Sequence, residues 1–244
     1  MSQAEDSHWW YLGLRDAVGR CLQHPSMRLP PCPKILDAGC GTGGNIRFLN
    51  DLLNPSYIAG FDLSARAIDY ASQKCPDAEL YISDLRCPEI RQSDFDLIVS
   101  FDVLYTTGLK ESLEGLRSLT RSLKRGGLMV WNLPAYNWLH SDHDRLVHTR
   151  ERFTSTSLLR ISHELGLECI RVSYRLFGLF PIVVVRRFAS KYSDKSKTEE
   201  SDLWQPSHRV NAALLYTLQV ENRMIANGFS FPWGSSVFSV FKKL

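Results

Sequence analysis

From Lys34 to Pro134 the chain alternates short apolar runs with longer amphipathic ones, and this alternation constrains its fold more than any other feature. KILDAG is followed by NIRFLNDLL, and YIAGFD by SARAIDYASQK. After AELYIS and FDLIVSFDV come LKESLEGLRSLTRSLK and GLMVWNLP, with turn residues between the pieces. Strand followed by helix, repeated, predicts an α/β fold with a mostly parallel sheet. Parallel neighbours need a crossover, and the crossover helix buries its apolar stripe on a sheet face.

The flanks are less regular. Apolar residues from Ala4 to about Leu22 recur at near-helical spacing and predict an N-terminal helix, followed by the Pro-rich turn LPPCPK. Beyond Pro134 a polar, aromatic stretch, AYNWLHSDHDRLVHTRERF, precedes a helix over Ser155–Leu165 and a strand near LECIRVSYRL. KYSDKSKTEESDLWQPS is charged and poor in apolar residues and reads as a surface loop. A helix over Arg209–Ala226 and the strand SSVFSVFKK come last. With 244 residues and no internal repeat, one domain with additions is expected. The formal net charge of +3 comes from 29 basic and 26 acidic residues mixed along the chain, unlike the concentrated basic face of a nucleic-acid binder. The six cysteines form no CxxC pair or metal-ligand rhythm, and MSQAEDSHWW lacks the basic-then-apolar form of a secretory signal. Reduced thiols in a cytoplasmic protein without structural zinc are expected. No apolar run approaches the roughly 20 residues that span a bilayer.

The chemistry starts at KILDAGCGTGGN. Gly39, Gly41 and Gly44 match the GxGxxG spacing of a dinucleotide loop, while Gly39, Gly41 and Gly43 match GxGxG. A glycine turn between strand and helix lets a ligand approach the backbone and the free N–H groups of the helix. In a dinucleotide site those groups meet a pyrophosphate, which Asp37, two residues upstream, would repel. Asp37 suits a ligand with a positive ammonium, or it orders the loop through backbone N–H groups. The loop therefore favours S-adenosylmethionine over NAD. Asp62, ending the next strand, lies where a carboxylate accepts from two ribose hydroxyls, although NAD sites use the same device. Asp84, after the third strand, is placed to accept from an adenine amino group, with Leu85 and neighbouring apolar side chains beside the ring. Each acid alone also reads as a helix cap or turn aspartate. Three of them at consecutive strand ends point to one ligand.

ILDAGCGTGGN, GFDLS, SDL, FDLIVSFDVLY and LKRGGLMVWNLP together resemble the successive motifs of class I S-adenosylmethionine-dependent methyltransferases, over roughly residues 34 to 134. HWWY, LPAYNWLHSDHDRLVHTRERFT and FPWGSSVFSVFKK are similar to a bacterial subgroup often found in secondary-metabolite or surface-glycan pathways. The resemblance implies a Rossmann-like fold with a seven-stranded, mostly parallel sheet whose last strand is antiparallel, and a helical insertion before that strand. It divides the chain into an N-terminal helix or lid (1–33), a cofactor-binding core (34–134), substrate-side elaborations (135–234) and the last strand (235–244). It also implies that Leu63 and Phe101 join Asp37, Gly39, Gly41, Gly43, Asp62, Asp84 and Leu85 around the cofactor. Tyr11 and Arg15 would reach it from a lid that Trp9 and Trp10 either close or merely staple to the core.

Methyl transfer needs nucleophile, methyl carbon and sulfur in line, so positioning can supply most of the acceleration. A base is needed only for a protonated or weak nucleophile. Many relatives carry a histidine after the fourth strand, in DVLxH. Here the run is Asp102, Val103, Leu104, Tyr105, Thr106. Candidate bases are His143, beside Asp144 in the histidine cluster His140, His143 and His148, and Tyr105. The histidines read equally as groups satisfying a polar loop, and metal binding there is disfavoured. FGLFPIVVVRRF reads as core or substrate lid, with membrane contact not favoured. The expected function is methyl transfer from S-adenosylmethionine to an oxygen or nitrogen of a small-molecule metabolite. The alternatives are a lipid or surface-glycan precursor as acceptor, or a cofactor-binding protein without transferase activity.

Overall fold

A computed structural model describes residues 5–140, 144, 149–185 and 206–244. Seven strands form one sheet: β1 (Lys34–Ala38), β2 (Tyr57–Asp62), β3 (Glu79–Ile82), β4 (Phe95–Phe101), β5 (Leu123–Pro134), β6 (Leu167–Arg175) and β7 (Ser236–Lys243). Their order is β3-β2-β1-β4-β5-β7-β6. β7 enters between β5 and β6 and runs antiparallel to both, while the other pairs are parallel. The strand order reverses between β1 and β4, the place where α/β sheets bind ligands at the carboxyl ends of their strands.

Every residue of β4 is buried, as a strand covered on both faces requires. Helices α2 (Gly44–Leu53) and α3 (Ala65–Lys74) follow β1 and β2. After β4 come the single turn α4 (Leu104–Thr107) and then α5 (Leu109–Ser122). α6 (Ser155–Glu164) precedes β6 and opens on a capping box between Thr154 and Ser157. The long helix α7 (His208–Ala226) precedes β7.

The N-terminal helix α1 is shorter than its apolar spacing predicts. It covers Trp9–Leu22, with His8 capping it through the Trp10 amide. Its second half is core material, since Leu14, Ala17, Val18, Cys21 and Leu22 are all buried. α1 crosses α7 at Gly13, where a Cβ would strike Leu218. Asn211 joins the two helices again, accepting from the Trp9 amide at 2.9 Å and donating to the Ser7 carbonyl at 3.0 Å. This burial packs the second half of α1 into the core, while Arg15 reaches back to the glycine loop at Gly44. Residues 180–185 are helical, but Val183 and Val184 are half-buried and Ile182 and Val185 are 67% and 68% exposed. Of the two readings of this segment, core or substrate lid, these exposures disfavour core. Among the described residues no helix is long and apolar enough to cross a membrane.

Gly115 of α5 lies against the Leu85 carbonyl in the turn after β3, where an added Cβ would collide with backbone. An exposed helical Gly→Ala change normally gains about 1 kcal/mol. Gly115→Ala is expected instead to destabilise by about 1–3 kcal/mol through overpacking. Thermal unfolding followed by circular dichroism should show a melting temperature several degrees lower, and an increase would mean that this contact yields.

Candidate functional site

The glycine loop closes directly over the end of β2. Gly39 and Cys40 both donate backbone N–H groups to the Phe61 carbonyl, at 2.8 and 2.9 Å. Gly39, Gly41 and Gly43 all have positive φ, a region costly for other residues. Only two of them are also packed. A Cβ on Gly39 would strike Val103, just after β4, and one on Gly43 would sit 3.1 Å from Ala71 of α3. A Cβ on Gly41 would meet nothing within 4 Å, so this glycine faces open space.

Asp37 is wholly buried beside the loop, and neither carboxylate oxygen has a hydrogen-bond partner. Burial, with Asp62 and Glu5 adding like charge, pushes its pKa up to about 8. Asp62 is bound into the loop, its two oxygens accepting from the amides of Gly41 (3.0 Å) and Ser64 (2.9 Å). A carboxylate oxygen has two lone pairs, so Asp62 keeps acceptor capacity while it orders the turn. Leu63 is 65% exposed at the end of β2, and Ile82 is 54% exposed at the end of β3.

Leu85 is buried in the core cluster, whereas Asp84 is held by Arg86 through its amide and guanidinium, both at 2.9 Å. That ion pair holds the Asp84 carboxyl below the usual carboxylate range. Phe101 closes β4 and is nearly buried.

From the N-terminal side, Glu5 accepts from the Thr42 hydroxyl at 2.7 Å and pairs with Lys74 at 3.1 Å. Glu5 and the Arg15 guanidinium both lie against Gly44, at the first turn of α2. A carboxylate there is favoured by the free amides of the helix. Burial lowers the Arg15 pKa, although Glu5 and Asp6 act against it. Tyr11 is half-buried, and burial followed by the charges of Glu5 and Asp102 raises its pKa to about 12.

Beside Tyr105 the chain returns at residue 149. Arg150 and Glu151 donate backbone N–H groups to the Tyr105 carbonyl, and Glu151 accepts from the Leu109 amide at 2.7 Å, serving as a cap for α5. Arg152 grips Asp144 with two donors, at 2.9 and 3.1 Å, inside the fold. His140 donates Nε2–H to the Thr149 carbonyl at 3.0 Å. His143 and His148 lie outside the described residues. The Tyr105 hydroxyl is shifted upward by burial and then by Asp102, so it is a weak proton acceptor near neutral pH.

Three groups absent from the sequence-based site complete the arrangement: Asp102, Asn132 and Arg175. Asp102 has φ +54 and donates its amide to the Asn132 carbonyl at 2.8 Å. Its carboxylate accepts from Asn132 Nδ2 at 3.0 and 3.2 Å. Arg175 Nη1 donates to Asn132 Oδ1 at 3.0 Å. Asn132 in MVWNLP and Arg175 in RVSYR are polar residues within otherwise strand-like runs, a signal that buried polar positions often give.

Residues 35–127 match the family described as methyltransferase domain. Over 160 residues the chain is 28% identical to trans-aconitate 2-methyltransferase of Deinococcus radiodurans, covering 63% of this chain and 57% of that protein. Over 123 residues it is 28% identical to dTDP-3-amino-3,4,6-trideoxy-alpha-D-glucopyranose N,N-dimethyltransferase of Streptomyces venezuelae, covering 47% and 51%. The matched stretches span 21% to 57% of the length of four curated relatives. A TehB-like S-adenosylmethionine-dependent methyltransferase from Corynebacterium glutamicum shares the fold, with a TM-score of 0.54 and 24% identity over 93% of this chain and 88% of that one.

The buried Asp37 makes stability depend on pH. Its carboxyl ionises near pH 4 when unfolded and at about 8 when folded, so the folded state retains a proton that the unfolded state has lost. Stability falls as pH rises through this interval and levels off above it. Asp37→Asn is expected to melt at higher temperature than the parent at pH 8.5, with the difference shrinking toward pH 4.5. Thermal melts across that range check the sign.

Proposed function

We propose that this chain, a member of the class I S-adenosylmethionine-dependent methyltransferase superfamily, transfers a methyl group from S-adenosylmethionine to an oxygen or nitrogen of a small-molecule metabolite. The observation that carries the reading is Asp37, a buried carboxylate without a partner beside a loop whose central glycine faces open space. A buried unpaired acid is costly, and a cationic ligand is what compensates it. The residues therefore suit this cofactor, whose ammonium would meet Asp37 and whose ribose hydroxyls would donate to Asp62. Leu63 and Ile82 offer apolar surface to an adenine, with Asp84 and Leu85 in the adjoining turn. Phe101 and Tyr11 would lie beside the cofactor, and Arg15 of α1, whose guanidinium sits against Gly44 at the start of α2, would take its carboxylate.

When bound, the cofactor supplies an electrophilic methyl carbon on a sulfonium. The protein then has to hold the acceptor in line, exclude water and accept a proton if the nucleophile carries one. Tyr105, with Tyr11 near it and its carbonyl bound by residues 150 and 151, is placed to face the acceptor. The two relatives named above carry an acid and an amino sugar in their names, which agrees with a small polar acceptor. Tyr105 and His143 remain candidate bases. Tyr105 is disfavoured by its raised pKa, and Asp144 beside His143 is already paired with Arg152.

Calorimetry should show S-adenosylhomocysteine binding and no binding of NAD; binding of NAD alone would overturn the reading. Asp62→Ala should weaken S-adenosylhomocysteine about 10–100-fold, the worth of hydrogen bonds to a charged group. Gly41→Val should abolish binding, since a branched side chain would fill the open space at a positive φ. Labelled methyl from S-adenosylmethionine should then appear in a component of a metabolite extract.

A further inference from the structure

Asp102 is the one acid at the strand ends with no role in the reading above, and its surroundings are built around it. Its amide and its carboxylate are both bound by Asn132, through the carbonyl and the side-chain nitrogen respectively. An asparagine amide has a donor end and an acceptor end. Arg175 can only donate, so its bond to Asn132 Oδ1 turns the Nδ2 donor toward Asp102. Arg175 is itself fixed by Asn222 of α7, whose nitrogen donates to the Gly13 carbonyl and to Asp16 of α1. A polar chain thus runs from α1 through the core to one carboxylate at the end of β4.

The order of the strands locates that carboxylate relative to the ligand. Adenine, ribose and ammonium are assigned to the ends of β3, β2 and β1, and the sulfonium joins the ribose to the amino-acid portion; the strand end next to β1 on the side away from the ribose, where an acceptor would meet the methyl group, is that of β4. There Val103 packs on Gly39, which sets Asp102 next to the glycine loop. Across the space stand Tyr11 of α1 and Tyr105 of α4, each close enough to feel the charge of Asp102.

We propose that the Asp102 carboxylate faces the position of the transferred methyl group and accepts the proton of the incoming nucleophile, with Arg175 as a positioning residue acting through Asn132. In this step the N–H or O–H bond of the acceptor breaks, and its proton forms an O–H bond on Asp102. The electron pair left on the acceptor forms the new bond to the methyl carbon, and the pair of the broken carbon–sulfur bond goes to sulfur. Burial raises the Asp102 pKa to about 7, opposed by the Asn132 hydrogen bond and the charges of Arg175 and Arg152. A proton acceptor of that strength is ionised and still basic near neutral pH. Arg175 keeps its charge, because burial lowers its pKa only to about 10.

The inference rests on the cofactor reading, and its test separates the two. Sinefungin carries an ammonium-bearing carbon in place of the S–CH3 unit and is otherwise closely similar to S-adenosylhomocysteine, so the ratio of their affinities isolates the methyl position. Contributions from Asp37, which meets the shared amino-acid portion, largely cancel in this ratio. At pH 8 the protein should prefer sinefungin by about tenfold, as a charge-assisted hydrogen bond allows. Asp102→Asn should remove the preference while S-adenosylhomocysteine affinity changes little. In the unmodified protein the preference should decline between pH 8 and pH 6 as Asp102 gains its proton, a reading that does not depend on a variant folding. Arg175→Met should move the midpoint of that decline to higher pH, with Arg175→Lys restoring it in part. Binding of both ligands with a preference that survives Asp102→Asn, or with none at pH 8, would overturn the inference alone. Failure of both to bind the unmodified protein would remove the cofactor reading and the inference together.

Discussion

A carboxylate buried without a hydrogen-bond partner at the end of β1 is the constraint around which the site is arranged. Asp37 lies in the β1–β4 pair, at the reversal of strand order, with Gly60 and Val99 beside it in register. An unpaired buried acid would be selected against in a core that only had to be stable. Its neighbours deepen the cost, since Asp62 and Glu5 are also acidic. The fold tolerates this because the sheet on either side is densely apolar and tightly paired, so the energetic penalty is carried by Ile35, Leu36, Leu97, Ile98 and Val99 around it.

The same economy of position appears in Asp62. One side chain both completes the glycine loop, through the amides of Gly41 and Ser64, and retains lone pairs for a ligand. A ligand bound by those lone pairs would therefore couple its affinity to the order of the loop. Glu5 shows the converse, because it supplies from the N-terminal segment the negative charge that the start of α2 attracts, and it does so beside Arg15. Charges around α2 are nearly balanced before any ligand is considered.

α1 joins these features to the far side of the molecule. Gly13 permits close crossing with α7, and Asn222 at that crossing touches Gly13, Asp16 and Arg175. A displacement of α1 would disturb Arg175 and hence Asn132, so the helix that carries Tyr11 and the orientation of Asp102 are parts of one packed unit. Buried polar chains of this kind favour a single arrangement, because each unsatisfied member costs more than its bond returns.

The seven strands and the helices α2, α3, α5, α6 and α7 were legible in the residue pattern because each repeats one period along its own length, and local sequence carries that period. The glycine loop and the acids at three strand ends were legible for the same reason, as turn chemistry is local. What the sequence could not place were contacts made across it. Leu85 looked like a neighbour of a ring and is core, since α5 packs on its carbonyl at Gly115. Asp84, read as an acceptor for an adenine amino group or as a turn aspartate, is bound to Arg86, two residues away. Val183 and Val184, in a segment read as core or substrate lid, are half-buried. Asp102, Asn132 and Arg175 are 30 and 43 residues apart in succession, and only the sheet brings them together. The sequence by itself determined the periodic elements and the glycine loop between the first strand and helix; the tertiary structure decided which polar side chains meet, because hydrogen-bond partners are set by strand order and helix crossing and leave no period in the chain.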